Sequence, residues 1–158
     1  MKTVVVYQSL LGTTRKYAQW LRESLEADMF KASKVSAEKM QAYDLVVLCT
    51  ATYIGWIRGG GYLKKRWKVL KGKKVILVVT GMSPAESDDS RRSYEKIPEY
   101  IRQNIKYFKL PGKIASVGAD KVKKENLEPV MEYIRSLQAC TLLCRMHLDS
   151  CAGIQGHL

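Results

Sequence analysis

Short unbroken apolar runs alternate along this chain with segments in which apolar residues return at helical spacing. Val4-Val5-Val6, within Thr3 to Tyr7, reads as a strand buried on both faces. The next segment puts Tyr17, Ala18, Leu21 and Leu25 on one helical face, with Arg15, Lys16, Gln19, Arg22 and Glu26 away from it, and should end near Ala27. Met29 to Val35 is a weaker second strand, after which Ser36 can cap a short helical turn to about Ala42. Leu45-Val46-Val47-Leu48-Cys49 is again a fully buried strand, and Thr50 to Gly61 reads as a polar, flexible segment. Leu63, Trp67 and Leu70 form the stripe of a further helix that Gly72 stops.

Val75-Ile76-Leu77-Val78-Val79-Thr80 is the strongest strand, left through the turn Gly81-Met82-Ser83-Pro84. Tyr94, Ile97, Ile101 and Ile105 repeat at helical spacing, with Pro98 either opening that helix or kinking it. Tyr107 to Leu110 and Lys113 to Val117 are both strand-like, so Pro111-Gly112 predicts a fifth strand split by an insertion. Asn126 can cap the last helix, with Pro129 in its first turn. Leu127, Val130, Met131, Ile134 and Leu137 form its buried face, in a pattern that can continue to Leu148. Buried strands alternating with amphipathic helices predict an α/β fold: one domain over residues 1–158, with a five-stranded parallel sheet between two helical layers. The doubly wound order 2-1-3-4-5 fits this count, and it places ligands at the carboxyl ends of the strands.

Composition adds charge to this picture. The 158 residues carry a formal net charge of +12, concentrated between Leu45 and Ala85, where Arg58, Lys64, Lys65, Arg66, Lys68, Lys71, Lys73 and Lys74 meet no acidic residue. Such a face suits an acidic partner, an anionic membrane surface or a nucleic acid, and charge alone does not choose among them. No apolar run approaches the ~20 residues that span a bilayer. The chain enters a strand at once, which predicts no signal peptide and a cytoplasmic protein, with peripheral membrane contact open to the basic face. Cys49, Cys140, Cys144 and Cys151 match no zinc spacing, and reduced thiols are expected.

The candidate chemistry sits where the first strand runs into the first helix. A helix start leaves backbone N–H groups unpaired, and these with the helix dipole favour an anion. Ser9, Thr13 and Thr14 add hydroxyls there, and Gly12 lets the backbone approach a ligand. The loop lacks the Gly-Lys-Ser/Thr of a P-loop and the Gly-x-Gly-x-x-Gly of a dinucleotide site. Instead, Val5-Val6-Tyr7-x-Ser9-x-x-Gly12-x-Thr14-x-x-x-Ala18-x-x-Leu21 resembles the flavodoxin signature at every defined position. The run Thr52-Tyr53-Ile54-Gly55-Trp56-Ile57 also resembles a segment of flavodoxin-type, quinone-linked protoporphyrinogen oxidases.

That resemblance implies a flavodoxin-like fold binding FMN. It would have Ser9, Thr13 and Thr14, with the amides of Leu10, Leu11 and Gly12 onward, hold the phosphate. Thr50, Ala51, Thr52, Tyr53, Ile54 and Gly55 would line one side of the flavin, and Gly81, Met82 and Ser83 the other. Tyr53 or Trp56 could stack on the ring. The third loop departs from the family in having Met82 where an aromatic is common. The implied function is electron transfer with a redox protein or a quinone. The alternatives are a protoporphyrinogen oxidase, and a module that has lost FMN and uses its basic face to bind nucleic acid or protein. The intact phosphate loop argues against the last of these. Arg58, Lys64, Lys65, Arg66 and Lys68 are the candidates for an acidic partner or an anionic membrane surface, with nucleic acid disfavoured. No base, nucleophile or metal cluster is visible, His147 and His157 lie in the tail, and no catalytic residue is assigned. The basic segment beside the second loop predicts a hydroquinone couple less negative than in acidic flavodoxins. An interaction of about 1.4 kcal/mol corresponds to about 59 mV for a one-electron couple. Redox titration checks this, and a couple as low as theirs would overturn it.

Overall fold

Three valines in a row, with no polar position between them, have to be covered on both sides, and the chain supplies a helical layer for each face. The computed structural model describes residues 1–114 and 116–152, with side chains through residue 143. In chain order it comprises β1 (Thr3–Tyr7), α1 (Thr13–Leu25), β2 (Asp28–Lys31), α2 (Ala37–Gln41), β3 (Leu45–Tyr53) and β4 (Trp56–Ile57). These are followed by α3 (Gly59–Leu70), β5 (Lys74–Gly81), α4 (Asp88–Glu95), α5 (Glu99–Arg102), β6 (Lys106–Pro111) and α6 (Glu128–Ala152). The sheet order is β2-β1-β3-β5-β6 with every neighbour parallel, which is the doubly wound order expected for five strands. The two-residue β4 stands off this path, antiparallel to the end of β3.

Alternate residues of each strand divide between two cores. Val4, Val6, Val46, Leu48, Leu77 and Val79 pack with Leu63, Leu70, Ile97 and Ile101 on one side. On the other side Val5, Val47, Ile76 and Val78 pack with Tyr17, Ala18 and Leu21 of α1 and with Leu127, Val130 and Ile134 near and on α6. Burying each large aliphatic side chain contributes about 1.5–3 kcal/mol. The Asn126 side chain ties the turns before α6 to α1, donating to Tyr17 Oη at 2.8 Å and to the Lys121 carbonyl at 2.7 Å.

The departures from expectation cluster at the element ends. β3 continues through Thr50 to Tyr53, so the segment read as flexible begins as strand. It then reverses at Ile54 and Gly55, whose φ angles of 46° and 70° are those of a tight hairpin turn. α3 starts four residues before Leu63, at three glycines that propensity does not mark as helical. Pro98, at φ −52° and ψ 141°, separates α4 from α5, because its ring nitrogen has no hydrogen with which to continue a helix. β6 is one strand ending at Pro111; beyond it Ile114 and Val117 form only an isolated bridge, and Ala115 lies outside the described residues. β2 stops at Lys31 and gives way to a 3-10 turn, Ala32–Lys34. Asn126 sits in a 3-10 turn, Lys124–Leu127, and its side chain is used for tertiary contacts rather than for a cap. Cys49 is buried and Cys140 exposed, while the side chains of Cys144, His147, Leu148 and Cys151, and all of His157, lie outside the described residues. Among the described residues no helix is long and apolar enough to cross a membrane.

Ile134 is the largest fully buried side chain among the described residues of α6 and belongs to the second core. Ile134→Ala is expected to cost about 2–5 kcal/mol, read in urea unfolding as a lower midpoint with an unchanged slope.

Candidate functional site

The β1–α1 loop folds around its own serine. Ser9 Oγ accepts a bond from the Gly12 amide at 3.1 Å, and Gly12 adopts the left-handed conformation (φ 85°, ψ −26°) that glycine accommodates without strain. Gly12 is the N-cap of α1, and no side chain caps the helix. The first turn also carries no acidic residue, so no carboxylate of the helix's own first turn neutralises the positive end of the dipole.

The three hydroxyls of this loop do different things. Thr14 Oγ1 lies 2.9 Å from Thr80 Oγ1 in a buried pair, and Thr80 Oγ1 donates onward to the Thr50 carbonyl at 3.3 Å. Thr80 has one hydrogen, so both bonds stand together only when Thr14 donates to Thr80. The Thr14 hydroxyl hydrogen is thereby used within the fold. Ser9 keeps its own hydrogen free, since its oxygen accepts from Gly12. Thr13 is buried with no partner for its Oγ1. A buried hydroxyl without a partner is costly, and this one belongs to the first residue of the uncapped helix.

These residues open into a cleft of about 660 Å³, part of it open solvent, at the carboxyl edge of the sheet. Leu10, Leu11, Thr13 and Thr14 form one wall; Ala51, Thr52, Tyr53 and Arg58 form the next. Thr80, Gly81 and Met82 form the third, and Gly112, Lys113 and Ile114 complete a fourth. Of the residues singled out from the sequence, Ser9 and Gly12 shape the loop without lining the cleft. Thr50 is buried at its base within β3, and Ser83 lies just past Met82. Ile54 and Gly55 are at the hairpin tip, outside the lining, with Ile54 80% exposed. Tyr53 lines the cleft, whereas the Trp56 ring is covered by Lys96 Nζ at 4.0 Å. Lys96 also donates to the Gly55 carbonyl at 2.7 Å, which pins a turn whose β-branched Ile54 is held at an unfavourable positive φ.

The fourth wall went unseen in the sequence, where residues 113–117 read as strand. Pro111-Gly112 was its one signal: a strand stop at the same sheet edge as the other loops. The Gly112 amide bonds the Gly81 carbonyl at 2.8 Å, bringing this segment against the third loop. Charge in the cleft is also one-sided. Arg58 and Lys113 line it and no carboxylate does. Half-buried Lys109 reaches from β6 to donate to Thr52 Oγ1 at 2.8 Å, and burial pushes its amine down to about 8. Among the described residues no group of three metal-ligating side chains occurs.

An uncapped helix start, a partnerless hydroxyl and a cleft with neutral and cationic walls together suit an anionic group carrying a flat apolar body. A family model described as a flavodoxin domain matches residues 4–135. The chain belongs to the flavodoxin-domain family. Solved structures agree in fold. A flavodoxin from the domain Archaea is 16% identical, covering 81% of this chain and 95% of its own, with a TM-score of 0.55. Flavodoxin 2 from Bacillus cereus is 20% identical over 78% of this chain and 92% of its own, at 0.55. The two-electron reduced flavodoxin of Megasphaera elsdenii is 15% identical over 78% and 95%, at 0.54. No curated protein matches the chain significantly in sequence.

For this flavodoxin domain the buried Thr14–Thr80 pair predicts a coupled loss. Thr14→Val and Thr80→Val are each expected to cost about 1–3 kcal/mol, because each strands a buried partner. The double variant should cost less than their sum, and a thermal-unfolding double-mutant cycle reads that difference.

Proposed function

We propose that this flavodoxin domain binds FMN and serves in electron transfer. The observation that carries this reading is Thr13: a buried hydroxyl without a partner, at an uncapped helix start, in a cleft shared with the loops after β3 and β5. When bound, FMN supplies reversible one- and two-electron redox chemistry that no side chain of this domain offers. The amides from Leu10 to Thr14, with the Ser9 and Thr13 hydroxyls, would hold its phosphate. Thr14 serves through its bond to Thr80, holding the helix start against β5. Thr50, Ala51, Thr52, Tyr53, Ile54 and Gly55 would bound the ring on one side and Gly81, Met82 and Ser83 on the other.

Exposed Leu10, Leu11, Ile54 and Ile114 around the mouth offer an apolar contact to a redox protein or a quinone. Exposed Arg58, Lys64, Lys65 and Lys68 favour an acidic partner or an anionic membrane surface. Arg66 is partly committed within the fold, donating to the Val35 carbonyl at 3.3 Å. A cytoplasmic setting fits free thiols such as Cys49 and Cys140.

Purified protein, or apoprotein mixed with FMN, is expected to be yellow with one flavin per chain and quenched flavin fluorescence. Thr13→Val should weaken FMN binding about ten- to hundredfold, the equivalent of one hydrogen bond to a charged group. Its apoprotein stability should not fall and should rise by up to about 1–3 kcal/mol, because an unpaired buried hydroxyl is removed and no bond within the fold is lost. Protein that stays colourless and takes up no FMN would overturn the reading.

A further inference from the structure

Half-buried Lys109 lies behind the cleft wall, its amine held against two of the residues that line it. From edge strand β6 its side chain crosses β5 and reaches Thr52 on β3, where Nζ donates to Oγ1 at 2.8 Å. It crosses directly over Gly81: a Cβ built there would come 2.5 Å from Nζ and 3.2 Å from Cε. Any other residue at position 81 would displace the amine, so the glycine and the lysine form one arrangement. Thr52 and Gly81 both line the cleft, and the ammonium therefore lies one side chain away from whatever occupies it.

This charge has no counter-ion. Among the described residues the ion pairs are Arg91 with Asp88 and Glu95, and Arg135 with Glu128; none involves Lys109. Thr52 satisfies one of the three N–H donors of the ammonium. A half-buried cation without a carboxylate is destabilised, as the lowered amine at about 8 indicates. An unpaired cation at that place is compensated by an anion arriving in the cleft.

We propose that Lys109 sets the potential of the bound flavin, its ammonium at the Thr52–Gly81 junction favouring the anionic reduced ring over the neutral oxidised one. The inference rests on the FMN reading above. Two electrons from the titrant and one proton from solvent convert the neutral oxidised ring to the reduced anion. Only the product is charged in its ring system, so a fixed cation at the Thr52–Gly81 junction would discriminate between the two states. Lys109 neither donates the proton nor changes its bonding; it is a positioning charge. The same charge at the opposite, amino edge of the sheet, as at exposed Lys2 just before β1, is screened by solvent and salt.

The test is spectroelectrochemical titration of the FMN-loaded wild-type protein and four variants. Lys109→Met is expected to lose about tenfold in its preference for reduced over oxidised flavin, a two-electron midpoint about 30 mV more negative. Lys109→Gln keeps a donor toward Thr52 without the charge and should shift equally. Lys109→Arg keeps the charge and should hold most of the wild-type potential, and Lys2→Met, at the opposite edge of the sheet, should leave it nearly unchanged. A wild-type potential in flavin-loaded Lys109→Met or Lys109→Gln would overturn the proposal, as would an equal shift in Lys2→Met. If the wild-type protein fails to take up FMN, it is the functional reading that falls, and that result is seen before any potential is measured.

Discussion

The site depends on a chain of hydroxyls that joins three separate parts of the sheet edge. Thr14 at the start of α1 donates to Thr80 near the end of β5, and Thr80 donates to the carbonyl of Thr50 within β3. Sequence separations of 66 and 30 residues are closed by two buried bonds. Inside a low-dielectric core such bonds are strengthened, and a broken link leaves a buried polar group stranded. The helix start therefore cannot drift away from the loops after β3 and β5. Neighbouring Thr13, in the same wall of the cleft, is left with an unpaired hydroxyl. One threonine serves the coherence of the fold, and the hydroxyl of the one before it stays unused within the fold.

Cations complete the edge in a similar division of labour. Lys96 braces the β3–β4 hairpin from outside, bonding the Gly55 carbonyl and covering the Trp56 ring. It thereby holds Ile54 in a backbone region that a β-branched residue avoids. Lys109 braces the same segment from within, across β5. Both amines act on the segment Thr52 to Trp56, and neither is paired with a carboxylate among the described residues. The positive balance of the chain is thus more than a solvated helix face: part of it is built into the cleft.

Apolar patterning made the sheet order, the two helical layers and the first loop legible. Val4-Val5-Val6, Leu45 to Cys49 and Val75 to Thr80 have no polar face to offer solvent, so they can only be central parallel strands. A glycine and hydroxyl loop between such a strand and an amphipathic helix can only be a helix start at the carboxyl edge. Local sequence settles these matters because each follows from neighbouring residues. The element ends were not legible in the same way. Thr50 to Tyr53 are polar enough to read as loop, yet β5 and β4 supply ladder partners that keep Thr50, Ala51 and Thr52 in a strand.

Contacts distant in sequence decided the rest. Nothing around Thr14 reveals that its hydroxyl is taken by Thr80 while that of Thr13 is free. Nothing around Lys109 reveals that its amine crosses a glycine to reach Thr52. The fourth wall at Gly112 to Ile114 exists because β6 is registered beside β5, with Pro111 opposite Gly81. Periodicity reports which residues avoid water, a property of each segment alone. Which polar atom finds which partner depends on register and close approach between segments, and these arise only when the sheet has formed.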